Sequence, residues 1–246
     1  MRNFKLLLAY DGSRYKGWQR LGNTDQTIQG KLEAVVSRMT GVPTEVIGSG
    51  RTDAGAHAAG QVANFHAEID LTEQEILDYL RHYLPEDIGV LSVQEVDDRF
   101  HSRFHAIQKT YIYRIWNSET PCVFQRKYVW SMAEPLQLAD MQQAAKQFLG
   151  THDFLAFCSN KHFKKSSVRT IYDFKVEKNG EELRFTVTGD GFLYHMVRIM
   201  VGTLLAVGRG ELTADEIPML LDGKRRADSG ETVPARGLCL MEVRYE

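Results

Sequence analysis

Residues 48–57, Gly-Ser-Gly-Arg51-Thr-Asp53-Ala-Gly55-Ala-His57, gather a guanidinium, a carboxylate and an imidazole between glycines. Glycine lets a backbone turn sharply or approach a ligand closely. An ionised Asp53 in such a loop can act as a nucleophile or a base. Asp is also a common turn former, and residue type alone favours the turn. A phosphate cradle fits poorly, because Gly48-x-Gly50 lacks a third glycine in register and no Gly-Lys-Ser/Thr follows.

A second unusual charge is Arg198. It is the one formal charge in residues 191–208, where Phe192, Leu193, Met196, Val197, Ile199 and Met200 begin an apolar covering of nearly every helical face. A buried guanidinium left unpaired is costly, so Arg198 is expected against a carboxylate at a site; a surface position at the helix edge is the alternative. Arg198 and His195 speak against a transmembrane run, since a charge at a bilayer centre costs roughly 2.5 to 3.5 kcal/mol on insertion scales.

Several other chemistries lose ground. His57, His66, His101, His105 and His195 are scattered, and no HExxH, paired cysteines or regular acid-rich loop accompanies them, so no metal is expected. Cys122, Cys158 and Cys239 are odd in number and far apart, which suits reduced thiols. No Gly-x-Ser-x-Gly elbow supports a serine hydrolase.

The charge pattern points to a polyanion. The net charge is −2, yet ten acids face only Arg81 between residues 68 and 98, a local −9 that leaves +7 for the remainder. Lys161, Lys164, Lys165 and Arg169 cluster with Phe163 and Tyr172 in a stretch free of acids, and Lys224, Arg225 and Arg226 form a second group. Solvated loops are the bland reading of either cluster. Phe100-His-Ser-Arg103-Phe104 and Lys109-Thr-Tyr111-Ile-Tyr113 mix bases with aromatics, as RNA-stacking surfaces do, although a core-lining strand explains Tyr113 equally well.

The elements that must position these groups follow from periodicity. At 246 residues, 43% hydrophobic and 25% charged, the chain can bury a sizeable core. Strands are predicted over 4–10, 44–48, 61–66 and 88–96, with helices over 27–39, closed by Gly41, and 72–84. That order is the split β-α-β-β-α-β pattern. The second half repeats it with insertions: a strand over 111–116, a helix over 139–149 ended by Gly150, and strands over 171–177 and 182–188 joined at Asn179-Gly180. Leu71-Thr-x-x-Glu75 and Leu212-Thr-x-x-Glu216 both read as capping boxes. The expectation is an α+β fold of two pseudo-symmetric split-βαβ domains, 1–107 and 108–246. With no signal-like N-terminal segment, the expected address is cytoplasmic.

Taken together, these residues resemble the tRNA pseudouridine synthase A family along nearly the whole chain. Tyr10-Asp-Gly12-x-x-Tyr15-x-Gly17-Trp18-Gln19 is similar to its opening motif, and Gly50-Arg51-Thr-Asp53-Ala-Gly55-x-His57-Ala58 to its catalytic loop. Further matches are 100–104, Lys109-x-Tyr111-x-Tyr113, Gly150-x-His152-Asp153-Phe154, Met196-Val-Arg198-x-x-Val201-Gly202 and Pro234-Ala-x-Gly237-Leu238. The resemblance implies ferredoxin-like domains whose antiparallel sheets join around a central cleft, a homodimer, no cofactor, and tRNA as partner. It implies uridines at positions 38, 39 and 40 of the anticodon arm, in standard tRNA numbering, as targets. It also implies roles: Asp53 the catalytic carboxylate, Tyr111 against the target base, Arg198 paired with Asp53, and Arg51 assisting base extrusion.

Two departures stand out. Arg81-His replaces the usual Asn of the family's Leu-Asn before Leu84-Pro85, and Ala56 stands where valine is common. They admit a paralogue with shifted targets. A non-catalytic RNA-binding module and a cofactor-dependent RNA enzyme are the competing classes; the first lacks the RNP-type signature and would not need Asp53, and the second should carry a glycine-rich loop after its first strand.

Overall fold

The computed structural model describes residues 1–160, 164 and 166–246. Two compact units emerge, Met1–Ile107 with Cys239–Glu246, and Gln108–Leu238.

The first unit opens with β1 (Arg2–Tyr10), in which Phe4, Leu6, Leu8 and Tyr10 alternate into the core at 0 to 5% exposure. Helix α1 (Ile28–Thr40) follows, capped by the Thr27 hydroxyl accepting from the Gly30 N–H and closed by Gly41 at φ 75°. Next come β2 (Ile47–Gly48), β3 (His57–Ala67), α2 (Glu73–Tyr83) and β4 (Ile88–Val96). Strand β1 lies antiparallel between β3 and β4, with Leu8 opposite Gln61 and Tyr10 opposite Ala58. The predicted capping box at Thr72 and Glu75 is present in both directions. Arg81, one of the departures from the family pattern, donates to the carbonyls of Val90 and Leu91 at 3.0 and 3.2 Å, covering acceptors on β4.

One predicted strand is much shorter than expected. Residues 44–48 pair only at Ile47 and Gly48, because α1 side chains take the earlier N–H groups: Thr44 donates to Ser37 Oγ at 2.9 Å and Val46 to Glu33 Oε1 at 3.2 Å.

The second unit contains β5 (Ala106–Asn117, beginning at its boundary), β6 (Trp130–Met132), α3 (Leu138–Lys146), β7 (Gly150–Asp153), β8 (Val168–Asn179), β9 (Glu182–Gly189), α4 (Met196–Gly208) and α5 (Glu216–Gly223). Its strands run in the order β5-β9-β8-β7, with β6 added parallel to β5. Phe148, Phe154, Phe157 and Phe174 form an aromatic centre with ring centroids 5.2 to 6.5 Å apart. The last strand, β10 (Leu238–Tyr245), packs with the first unit from Cys239 onward, setting Cys239 and Leu240 parallel to His57 and Ala58.

Four local expectations need correction. Gly150 does not end α3: the helix stops at Lys146 in three-residue turns that bury Phe148, and Gly150 at φ 95° starts β7. The hairpin's central residues are Gly180 and Glu181, since Asn179 pairs with Glu182. The second capping box is partial. Thr213 donates its N–H to Glu216 Oε2, but Glu216 N–H returns to the Thr213 carbonyl and the helix begins only at Glu216. Finally, residues 191–195 are not helical; His195 holds φ 64° and α4 starts after it.

Of the thirteen residues of α4, all but Arg198 are buried. Among the described residues no helix is long and apolar enough to cross a membrane.

Candidate functional site

The Asp53 loop runs from β2 to β3, and the segment following β1 locks against it. Trp18 N–H donates to the Thr52 carbonyl at 3.0 Å, and Gly55 N–H donates to the Tyr15 carbonyl at 3.3 Å. Ala56 N–H closes a turn on the Asp53 carbonyl at 3.1 Å, with Gly55 at φ 80°. Two glycines make this contact possible. Gly17 holds φ 98°, and a Cβ there would meet the Thr52 carbonyl oxygen at 2.8 Å; a Cβ on Gly12 would meet that of Ala56 at 1.8 Å. The spacing Gly12…Gly17-Trp18 therefore records the surface against which the Asp53 loop is moulded.

Polar side chains complete the mould. Gln61 is wholly buried, and its amide orientation follows from its partners: Val62 N–H can only donate, so the atom facing it at 3.1 Å is Oε1. That oxygen also accepts from Ser49 Oγ at 2.6 Å. Its Nε2 then donates to the Gly50 carbonyl at 3.2 Å and to Tyr10 Oη at 3.4 Å, and Tyr10 Oη bonds Thr52 Oγ1 at 2.8 Å. Burial pushes the Tyr10 phenol well above its ordinary pKa, so the hydroxyl keeps its proton. His57, at the loop's end, accepts the Gly12 N–H on Nδ1 at 3.1 Å. Arg51 is exposed and Asp53 half-buried, so both charged groups of the loop reach the surface of a rigid frame.

In the second unit, Tyr111 and Tyr113 lie two residues apart on β5, so they share one face rather than alternating, and both are buried. Tyr113 is structural: its hydroxyl donates to the Pro234 carbonyl at 2.7 Å, and Gly237 packs against its ring. Tyr111 meets the Phe192 ring edge to face, with centroids 5.1 Å apart. Arg198 Nε donates to the Val233 carbonyl at 2.7 Å, and its charge acts on the Tyr113 phenol. The 229–233 segment reaches α4 because Gly202 and Gly230 carry no Cβ; one on Gly202 would stand 2.0 Å from the Glu231 carbonyl oxygen.

The basic clusters fare unevenly. Lys161 and Lys165 lie outside the described residues; Lys164 is exposed, and Arg169 is half-buried with its guanidinium on the Ser166 and Val168 carbonyls. Lys224, Arg225 and Arg226 are engaged internally, with Asp153 at 2.9 Å, Asp228 at 3.4 Å, and the 229–232 segment. Among the described residues no group of three or more His, Cys, Asp or Glu side chains could hold a metal ion. Sequence reasoning quoted Tyr10 within a motif and Phe192 within an apolar run but gave neither a part in the site, and it did not single out Gln61. The one available signal for Gln61 was a polar residue in a strand whose neighbours are apolar.

Comparison with known proteins adds family relationships. Residues 7–105 and 144–246 match the family described as tRNA pseudouridine synthase. These stretches include Arg51, Asp53 and Arg198, while Tyr111 lies between them. The chain is similar, at 48% identity over 245 residues spanning both proteins completely, to the tRNA pseudouridine synthase A 2 of Bacillus anthracis. It is 48% identical, again over both full lengths, to the tRNA pseudouridine synthase A of a Bacillus species and 45% identical to that of Acetivibrio thermocellus.

Proposed function

The chain belongs to the tRNA pseudouridine synthase family, and from that premise we infer that it isomerises uridine to pseudouridine in tRNA, with Asp53 as the essential carboxylate. The observation that carries the assignment to Asp53 is the frame around its loop: Gly12, Gly17, Trp18, Tyr15 and Thr52 hold that backbone in one geometry. A turn needed only for connection would not require so many buried partners.

The reaction breaks the N1–C1′ glycosidic bond, turns the uracil and joins C5 to C1′; the C5 proton leaves and N1 takes up a proton, so the product is an isomer of the substrate. Atoms and electrons balance within the substrate. The target base must first leave its stack at a cost of a few kcal/mol. Arg51, exposed beside Asp53, assists that extrusion, and Tyr111, braced by Phe192, lies against the flipped ring. Asp53 attacks C1′ or C6, or removes a sugar proton, while Arg198 keeps the carboxylate aimed. The targets are uridines 38, 39 and 40 of the anticodon arm, and the working form is a cytoplasmic homodimer, for which sedimentation with and without tRNA is the check.

The test uses purified protein, EDTA and tRNA carrying 5-tritiated uridine. The wild-type chain releases tritium without additions, whereas Asp53→Asn binds tRNA but releases none. Turnover retained in Asp53→Asn overturns the assignment, and a wild-type chain that binds tRNA without turnover is an RNA-binding module instead. Mapping modified positions in tRNA from cells lacking the protein identifies the targets.

A further inference from the structure

We propose that Tyr10 and Gln61 are positioning residues for this reaction: through the Thr52 hydroxyl and the Gly50 carbonyl they set the geometry of the segment that presents Arg51 and Asp53. The proposal rests on the reading of Asp53 as the essential carboxylate. Neither residue is assigned contact with substrate.

Three observations support it. First, the pins fall on both sides of Arg51 and one residue before Asp53: Gln61 Nε2 holds the carbonyl of residue 50, and Tyr10 Oη holds the side chain of residue 52. Second, the groups are costly where they stand. Exposure is 5% at Tyr10, 0% at Ser49, 7% at Thr52 and 0% at Gln61. The other core positions of the same β1 face are Phe4, Leu6 and Leu8, and an apolar side chain at Tyr10 or Gln61 would avoid desolvating a hydroxyl or an amide. Third, the network is saturated. Both Gln61 donors and its acceptor oxygen are used, and Tyr10 receives from Gln61 while its hydroxyl shares a hydrogen bond with that of Thr52. A fully satisfied buried network specifies one geometry rather than adding general stability. The bonds join the sheet to the loop: Gln61 on β3, Tyr10 on β1, then Thr52.

Tyr10→Phe removes the hydroxyl while keeping the ring, and Thr52→Val removes the same bond from the loop side. Misplacing a reacting group by about 1 Å can cost roughly 100-fold in rate. The expected result for either variant is therefore a kcat for tritium release lowered roughly ten- to a hundredfold, with KM and the tRNA Kd unchanged and a cooperative unfolding transition retained. Ile76→Val, a core change on α2, lowers the unfolding midpoint without lowering kcat and so separates positioning from general stability. Wild-type kcat in Tyr10→Phe overturns the proposal. Should that variant fail to fold, wild-type kcat in Thr52→Val overturns it equally, as does a rise in KM matched by weaker tRNA binding. Failure of the underlying reading looks different, because then Asp53→Asn itself keeps its turnover.

Discussion

Gly12 lies so close to Ala56 that a Cβ on it would stand 1.8 Å from the Ala56 carbonyl oxygen. Two segments more than forty residues apart in the chain are thus pressed backbone to backbone. Gly12→Ala must move one of them. Overpacking of this kind costs about 1 to 3 kcal/mol, to be read as a lower urea midpoint. Because the displaced partner is the Asp53 loop, kcat should fall further than in a core variant of equal stability.

A coupling measurement tests the proposed pairing of Asp53 with Arg198. Arg198→Lys keeps a cation but loses the planar fork and the Nε donation to Val233. The expected outcome is a kcat at least tenfold lower, by about 1.4 kcal/mol of transition-state stabilisation. Because Asp53→Asn leaves no turnover to lower, the cycle uses Asp53→Glu: combined with Arg198→Lys it should cost less than the sum of the two single losses, since residues acting as a unit are not additive. Additive losses would separate the two residues.

The N-terminus of α1 offers a stability test away from the chemistry. Thr27 is fully buried and its hydroxyl accepts the Gly30 N–H at 3.2 Å. Thr27→Ala leaves that donor without its cap and should cost about 1 kcal/mol, visible as a lower denaturation midpoint at an unchanged m-value.

The loop 101–105 supplies a pH dependence. His101 Nδ1 accepts the N–H groups of Arg103 and Phe104 at 3.1 and 3.3 Å, which only the neutral ring can do. Burial, together with the nearby His105 and Arg103, draws its pKa below the ordinary histidine value. As pH falls below about 6.5, the unfolded chain takes up a proton that the folded one resists. Stability is therefore full above the unfolded value and declines as pH falls from there to the folded pKa. Thermal midpoints at successive pH values should show this decline in the wild-type chain and a shallower one in His101→Asn. Identical slopes would place the effect elsewhere.

How much of this was legible beforehand differs by element. Helices over 28–40 and 73–83 and the strand over 88–96 match the sequence reading closely, since each depends on apolar periodicity and on caps a few residues away. The strand expected over 44–48 did not form in full, because Ser37 and Glu33 on a neighbouring helix compete for its donors, a contest local pattern does not record. Gly150 looked like a helix stop, yet burial of Phe148 ended α3 earlier.

The sequence by itself determined the reactive residue types, their glycine setting and the family to which they belong. Asp53, Arg51, Tyr111 and Arg198 were all singled out from spacing, composition or resemblance. Only tertiary structure decided what holds each of them. The bonds from Gln61 to Tyr10 and from Tyr10 to Thr52 join residues 51 and 42 positions apart, and Arg198 finds Val233 35 positions on. Periodicity and turn chemistry act over a handful of residues; a hydrogen bond between distant strands exists only after the sheet has brought them together.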